Sequence, residues 1–337
     1  MTSIPPGPQR RIRVIIVNFN GGAAVMKCLD ALAAIETVHD VEVVVLDNAS
    51  ADNSVATMRV EHPEVTIRET GSNLGFVANN LALTDLADVD YVALLNNDAF
   101  VEPHWLDPLV QALDDDSGLG AVQSKIVFAE RSTDDGRNII NNVGGIVLAD
   151  GSGADRGFGQ PDTGQFDEPA EIFTWCGGSV LLRPSYLADV GLFDSRLFLY
   201  YEDTDLAWRG QSRGWRYRYE PTSMVLHLHA ASTGTGIEVF QYFNERNRLV
   251  VLVKNAPRAL AWSAAYRHPL TTLSYLRSAV TSSRSTKSRL DLTTVRIRLR
   301  AYVGFLRLVP AALLERRHIR QRRTVPMAQL TQWIGRS

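Results

Sequence analysis

The run Leu94-Leu95-Asn96-Asn97-Asp98 closes an apolar segment that begins at Tyr91 and stops it abruptly at three polar side chains. Strands buried on both faces read as unbroken apolar runs, and open α/β sheets carry their ligands at the carboxyl ends of such strands. Residues 91–95 are therefore expected to form a central strand that delivers Asn96, Asn97 and Asp98 to a site. A carboxylate held there can bind a hard divalent cation. A second stretch, Phe198-Leu199-Tyr200-Tyr201-Glu202-Asp203-Thr204-Asp205, passes from aromatic to acidic. A carboxylate against aromatic walls is partly desolvated and poised to act as a base. Together the two stretches point to metal-assisted group transfer.

Upstream of Tyr91 the same grammar repeats. Residues 11–17 and 41–46 are β-branched apolar runs, and each ends in a polar loop: Asn18-Phe19-Asn20-Gly21-Gly22 and Asp47-Asn48-Ala49-Ser50. Between them Val25, Leu29, Leu32 and Ile35 recur at helical spacing. Asp52 or Ser50 is placed to cap a helix running to Glu61, a third strand is expected at 65–68, and the loop from Gly71 to Phe76 to open a helix through Leu86. Strands alternating with helices predict a parallel, doubly wound sheet with right-handed crossovers. Neither G-x-G-x-x-G nor G-x-x-x-x-G-K-[ST] occurs, so nucleotide recognition falls to side chains. Asp47 suits a base or ribose, with Asn18 and Asn80 beside it; turn-making or capping is an equal reading for each Asn.

Downstream of Asp98 a helix is expected over 103–113 and a strand over 120–128. Residues 129–171 are rich in Gly, Asp and Asn and should form loops and hairpins that shape an acceptor site. Order returns around Phe173, Trp175 and Cys176-Gly177-Gly178, where the glycines permit close approach of backbone or ligand. A short helix from Pro184 to Gly191 precedes the acidic stretch, and a helix over 204–213 puts Asp203 at its N-terminus, where capping is the plainer role. Two short strands, 215–219 and 224–229, follow. His227 lies in the second and can complete a metal site through a neutral imidazole. A helix from Phe240 carries Arg246, able to neutralise a diphosphate.

The 337 residues, 45% hydrophobic, suffice for one large α/β domain with a helical appendage. Cys28 and Cys176 lack metal-ligand spacing. The net charge of −2 hides an asymmetry. Residues 254–337 hold 17 lysines and arginines against Asp291 and Glu315, a charge of +15, and the rest of the chain carries −17. Such a basic tail suits an anionic surface, with nucleic acid or a helical dimer interface as competing readings. Residues 301–314 are apolar but interrupted by Arg307 and Pro310, too short to span a bilayer and better suited to lie in its interface. Residues 316–323 contain five arginines in eight. Residues 1–11 hold three prolines and no apolar signal core, which reads as a flexible tail on a cytoplasmic protein docked on the inner face of the membrane.

Taken in order, Val17-Asn18-Phe19-Asn20, Asp47-Asn48-Ala49-Ser50, Asn73-Leu74-Gly75-Phe76, Asn96-Asn97-Asp98, Trp175-Cys176-Gly177-Gly178, Gly191-Leu192-Phe193-Asp194, Tyr201-Glu202-Asp203-Thr204-Asp205, His227 and Arg246-Asn247 resemble the family-two glycosyltransferases of the GT-A fold, in particular their bacterial rhamnosyltransferase-like members. The likeness covers about residues 13–254, leaving 255–337 as a basic amphipathic helical region. It implies a Rossmann-like mixed, mostly parallel sheet with flanking helices, a nucleotide-diphospho-sugar donor, Mg²⁺ or Mn²⁺ on its diphosphate, and inversion at the anomeric carbon. It further implies that Asp203 is the general base and that Asp98 ends a D-x-D-type metal element whose first position is Asn96, with His227 completing the metal site. Asn18, Asp47, Asn73, Gly75, Asn80, Asn97 and Arg246 then fall to the donor. Trp175, Gly177, Gly178 and Glu202 fall to the acceptor, a glycan or a polyprenyl-diphosphate-linked glycan of cell-envelope polysaccharide synthesis. Rhamnose from dTDP-rhamnose is the first donor to test. A sugar-nucleotide pyrophosphorylase, disfavoured by the missing glycine-rich basic nucleotide loop, and a non-catalytic glycan-binding scaffold are the alternatives.

Overall fold

A computed structural model describes residues 8–228, 237–286 and 291–335. Strand β1 (Arg11–Asn18) leads to α1 (Gly22–Ala33), β2 (Asp40–Asp47) to α2 (Ser54–Glu61), and β3 (Thr66–Glu69) to a 3₁₀ turn (Gly75–Asn79) and the single helical turn α3 (Asn80–Leu83). Next come β4 (Tyr91–Asn96), β5 (Ala99–Val101), α4 (Leu106–Asp115) and β6 (Leu119–Ser132). The short strands β7 (Asn138–Asn142), β8 (Gly145–Val147), β9 (Gly153–Asp155), β10 (Ala170–Ile172) and β11 (Ser179–Leu182) follow, then α5 (Pro184–Val190), α6 (Glu202–Arg213) and β12 (Arg216–His227). Helices α7 (Ile237–Asn255), α8 (Arg258–Thr286), α9 (Thr293–Arg322) and α10 (Met327–Thr331) complete the chain.

The main path through the sheet runs β10-β12-β6-β11-β4-β1-β2-β3. Strands β1 to β4 are mutually parallel, the doubly wound half that the alternation predicts. Beyond β4 the sheet is mixed: β11 pairs antiparallel with both β4 and β6, while β12 runs parallel to β6. Register aligns the polar strand ends, with Asn18 opposite Asp47 and Val17 opposite Asn96.

Two details depart from the sequence reading. The helix expected through Leu86 is a 3₁₀ turn and one α-helical turn. Gly75 sits at φ +68°, and the Phe76 N–H is drawn 2.9 Å to the carbonyl of Phe198, which disrupts a regular start. The two strands expected after Trp215 are one, β12, with Pro221 accommodated where the register shifts between Glu220 and Met224. Pro lacks an N–H for the ladder, so a bulge tolerates it without ending the strand; residue 229 of the expected second strand lies outside the described residues. Asp52 does accept the Ser54 N–H (3.1 Å) at the start of α2, whereas Ser50 turns to Asn18 and Asp47.

Apolar residues of β1, β4, α1 and α4 form one core, and a second gathers β4, β6, α5 and α6. A third unites Phe173, Leu197 and Trp208 with α7, Ala261, Ala264 and Ala265 of α8, and Phe305 and Ala312 of α9. The helices beyond residue 254 are thereby packed onto the rest of the protein through α7. Their basic run is partly consumed in that packing: Arg316 donates to the carbonyls of Val253 and Ala256 at the end of α7 (2.7 and 2.8 Å), and Arg322 reaches Asp189. No helix among the described residues is long and apolar enough to cross a membrane.

Asp205 joins α6 to α7. Its buried carboxylate receives Arg209 Nε (3.0 Å), Lys254 Nζ (2.7 Å) and Asn255 Nδ2 (2.8 Å), and Lys254 also meets Asp194 at 2.7 Å. Two buried carboxylates share this ammonium; Lys254→Ala leaves Asp205 to Arg209 and Asp194 to Arg196 alone and is expected to cost about 1–3 kcal/mol, measured by denaturant unfolding. Lys254 and Arg209 hold the Asp205 carboxyl below its ordinary range despite burial. A depressed carboxyl stabilises the fold above its unfolded pKa of about 3.9 and loses that contribution as pH falls through the folded value. Acid unfolding below about pH 4 is the expected signature.

Candidate active site

The carboxyl ends of β1, β2 and β4 hold a buried polar network. Asn18 Nδ2 donates to Asp47 Oδ1 (2.9 Å), Ser50 Oγ (3.1 Å) and Ser54 Oγ (3.0 Å), and Asn97 Nδ2 donates to Asn18 Oδ1 (3.2 Å). Asp47 also accepts the Ser50 N–H at 3.0 Å. Asn48 reaches the Gly75 carbonyl (2.9 Å), and Asn73 accepts the Gly75 N–H (2.8 Å). Asn18, Asp47, Asn97, Asn73 and Gly75, expected on the donor side, thus form one connected frame. Asn80 is engaged elsewhere, pinning the backbone of Phe193 through both its N–H (3.0 Å) and its carbonyl (2.9 Å).

At the end of β4, Asp98 and His227 come together because β5 pairs antiparallel with β12, which sets His227 opposite Ala99. His227 Nε2 lies 3.0 Å from Asp98 Oδ1 and 3.2 Å from the Asn96 amide. Its Nδ1 faces Asn141 Oδ1 at 3.1 Å. At that distance Nε2 and the Asp98 carboxylate are bridged by one shared cation, a proton or a metal ion. Among the described residues no three His, Cys, Asp or Glu side chains form a metal cluster. Asp98 and His227 nevertheless make an oxygen and imidazole donor pair that fits Mg²⁺ or Mn²⁺ when diphosphate oxygens complete the shell, with Asn96 turning its Nδ2 toward the imidazole.

The second acid site follows from an unusual loop. Phe198, Tyr200 and Tyr201 all adopt left-handed conformations, φ +67°, +66° and +68°, each at a cost of order 1–3 kcal/mol. Fully buried Asn247 offsets that cost by donating to the carbonyls of Leu197 (2.9 Å), Leu199 (2.9 Å) and Tyr200 (2.7 Å). Arg246, expected to neutralise a diphosphate, donates to the carbonyls of Arg196 and Leu197 (2.9 Å each) and lies over the ring of Phe243. The loop is tied on two further sides. Tyr201 Oη accepts the Gly153 N–H at 2.9 Å, and a methyl group on Gly75 would meet the Phe198 carbonyl oxygen at 2.2 Å. Asn247→Ala is expected to lower stability by about 2–4 kcal/mol through these stranded carbonyls and to cut transfer more than donor binding; a melt and a kcat against KM comparison check it.

This loop delivers Glu202 and Asp203 to the first turn of α6. Asp203 Oδ1 accepts the Thr204 N–H (2.6 Å) and Oδ2 the Gly177 N–H (3.3 Å). Burial raises its pKa, opposed by those donated bonds. Glu202 is buried and raised well above the usual carboxylate range, first by burial and then by the charge of Asp203. The glycine turn links the two centres: Asn96 N–H donates to the Gly178 carbonyl (3.1 Å) while Gly177 N–H reaches Asp203. Gly177 must be glycine, since a Cβ would sit 2.4 Å from the Phe76 ring. Trp175, expected on the acceptor side, is buried and packs edge-on against Phe193, so its indole belongs to the core.

The sequence reading missed Asp155. It accepts Asn142 Nδ2 at 2.6 Å from a position on β9 that is open to solvent at its surface but crowded by protein beneath, and that desolvation followed by the charge of Asp203 pushes its pKa upward, with Asn142 and His227 pulling the other way. It lies in a glycine-rich stretch without periodicity, and only the β8–β9 pairing, Gly145 opposite Asp155, fixes its place. A cavity of about 500 Å³ between the 189–196 segment, α6 and α9 contains none of the acids or the imidazole of this site, and its cations Arg209, Arg213 and Lys254 are already paired with acids.

A mixed sheet carrying a polar frame, a metal-suited pair and a buried carboxylate at one end defines a GT-A glycosyltransferase. Solved structures agree on the fold. GalNAc-T7 with UDP, GalNAc and Mn²⁺ matches with TM-score 0.57 at 16% identity, over 73% of this chain and 48% of that one. A mannosyltransferase from Pyrobaculum calidifontis in complex with GDP-Man and Mn²⁺ matches with TM-score 0.53 at 17% identity, over 97% and 88%. Residues 13–190 match Glycosyl transferase family 2, and the chain belongs to that family. Among its relatives is the N-acetylglucosaminyl-diphospho-decaprenol L-rhamnosyltransferase of Mycobacterium tuberculosis, 30% identical over 66% of this chain and 77% of that protein. The pre-mycofactocin glycosyltransferase of the same species is 24% identical over 67% of this chain and 44% of its own length.

Proposed function

We propose that this glycosyltransferase moves a hexose, with inversion, from a nucleoside-diphospho-sugar to a hydroxyl of a polyprenyl-diphosphate-linked glycan in cell-envelope polysaccharide synthesis. The observation that carries the reading is the glycine turn at 177–178, which hydrogen-bonds residue 96 of the metal-suited centre on one side and Asp203 on the other. The two groups needed for a single displacement are thereby set on opposite ends of one short backbone segment.

In this reading Asp98 and His227, with Asn96 beside them, hold Mg²⁺ or Mn²⁺, which when bound neutralises the departing nucleoside diphosphate. Asp203 takes the proton of the acceptor hydroxyl as its oxygen bonds to the anomeric carbon, and the carbon–oxygen bond to the diphosphate breaks with its electron pair on the leaving group. The Asn18, Asp47 and Asn97 frame shapes the donor floor, and Glu202 borders the acceptor. The rhamnosyltransferase relative makes dTDP-rhamnose the first donor and a lipid-linked N-acetylglucosaminyl diphosphate the first acceptor to test.

A thermal-shift panel of dTDP-, UDP- and GDP-sugars with and without Mn²⁺, followed by transfer of labelled sugar to that acceptor, tests the proposal. The preferred nucleotide should raise Tm most, and only with the metal, because stabilisation follows affinity. Absence of both a donor shift and transfer across the panel overturns it.

A further inference from the structure

Of the sixteen large hydrophobic side chains left exposed among the described residues, ten lie on α8 and α9. They are not scattered. On α8, Trp262, Tyr266, Leu270 and Leu273 recur at intervals of three or four, so they form one stripe along the helix, with exposed Arg258 and Arg277 near its two ends. The opposite side of α8, at Ala261, Ala264, Ala265 and His268, is the one that is buried. On α9, Leu299, Val303 and Leu306, with Leu313 and Leu314 two turns further on, share one face of the helix as a second stripe, flanked by exposed Arg296, Arg300, Arg307 and Arg317. Trp262 is 55% exposed, Tyr266 70% and Leu314 71%, values that only an unpartnered face gives.

We propose that these two stripes dock the protein on an anionic phospholipid surface, the apolar side chains entering the headgroup boundary and the flanking arginines pairing with lipid phosphates. The chemistry is complementary on both counts. A helix lying in the interface buries a moderately apolar face while its arginines gain from negative lipid, and Trp and Tyr favour the headgroup level. The charge asymmetry has the same sense, since the body carries −17 and is repelled by the surface that attracts the +15 of residues 254–337. A second copy of the chain is a poorer occupant. A two-fold contact across α9 sets the arginine row Arg296, Arg300 and Arg307 of one copy against the same row of the other without countercharge. Single-stranded nucleic acid pairs with the arginines but gives no reward to Leu299, Leu306 and Leu313, which offer no π-face for a base. Because the enzyme in the proposed reaction meets an acceptor held in a bilayer, docking supplies proximity, but the surface itself is independent of the sugar transferred.

The full-length protein is floated with vesicles of phosphatidylcholine alone or with phosphatidylglycerol. Expected results are flotation only with the anionic vesicles, weakened by salt, and quenching of tryptophan emission by lipids brominated on the acyl chain. The variant R296E/R307E/R317E should lower the partition coefficient by on the order of a hundredfold or more, and Y266S/L270S/L306S, which keeps Trp262 as the reporter, should abolish the quenching, both keeping the parent Tm and donor-induced thermal shift. No flotation of the parent, or flotation unchanged in both variants, overturns the proposal. So does sedimentation showing a dimer that the serine variant dissociates while the parent ignores vesicles, which assigns the stripes to a second copy. Vesicle binding needs neither donor nor acceptor, so its failure leaves glycosyl transfer standing.

Discussion

Asp203→Asn is expected to lower kcat by about a thousandfold while leaving the donor Kd within about threefold. The amide keeps the size of the carboxylate and its oxygen still accepts the short Thr204 N–H bond at the start of α6, while its Nδ2 replaces the acceptor of the longer Gly177 N–H bond. The capacity to take a proton is lost together with that weaker bond. Burial raises the Asp203 pKa, so the protonated, inactive form persists above the ordinary carboxylate range. Activity should rise with pH on an acid limb centred above about 4. Asp155, itself pushed upward beside Asp203, couples to that limb, and Asp155→Asn should move it. Single-turnover transfer with isothermal measurement of donor affinity separates the two quantities. A variant that retains transfer within tenfold of the parent removes Asp203 from the role of base.

Asp98→Ala and His227→Ala carry the second large effect. Each removes one of the two ionisable groups that face each other at 3.0 Å, and each is expected to abolish the Mn²⁺-dependent part of the donor thermal shift and to reduce kcat/KM by at least a hundredfold. The two should not add, since either loss dismantles one donor set. Asn96→Asp runs the other way. It restores a formal charge next to His227 and should tighten Mn²⁺ binding while destabilising the metal-free protein, because the new carboxylate lies beside buried Asp98. Titration of Mn²⁺ followed by tryptophan emission reads the affinities. Unchanged metal response in both alanine variants refutes the assignment.

Arg246 and Asn247 illustrate how the same residues look from sequence and from structure. As a sequence pair on a helix they read as an exposed cation and a neighbour, which is why Arg246 is assigned to a diphosphate. In the fold they face the 196–200 segment some fifty residues upstream and satisfy its carbonyls. Asn80 and Gly75 change in the same way. Each is a local turn residue by sequence, and each contacts the 193–198 segment, more than a hundred residues away. Part of the machinery around Asp203 is therefore a scaffold that stabilises three left-handed residues, and its members are conspicuous as motifs because they satisfy or closely approach that backbone.

The order of strands and helices through residue 100 was determined by the sequence alone, because apolar period and turn chemistry are local properties that each segment carries with it. The same holds for singling out Asp98 and Asp203 as candidate acids, since an apolar or aromatic run ending in a carboxylate states burial and charge together. Tertiary structure alone decided which residues join them. His227 meets Asp98 because β12 pairs with β5 across more than a hundred residues, Asp155 arrives from a hairpin without any periodic signal, and Gly177 and Gly178 bridge the two centres only because β11 inserts beside β4. Pairing between distant segments depends on the register and closure of the whole sheet, and a local pattern carries no record of its partner.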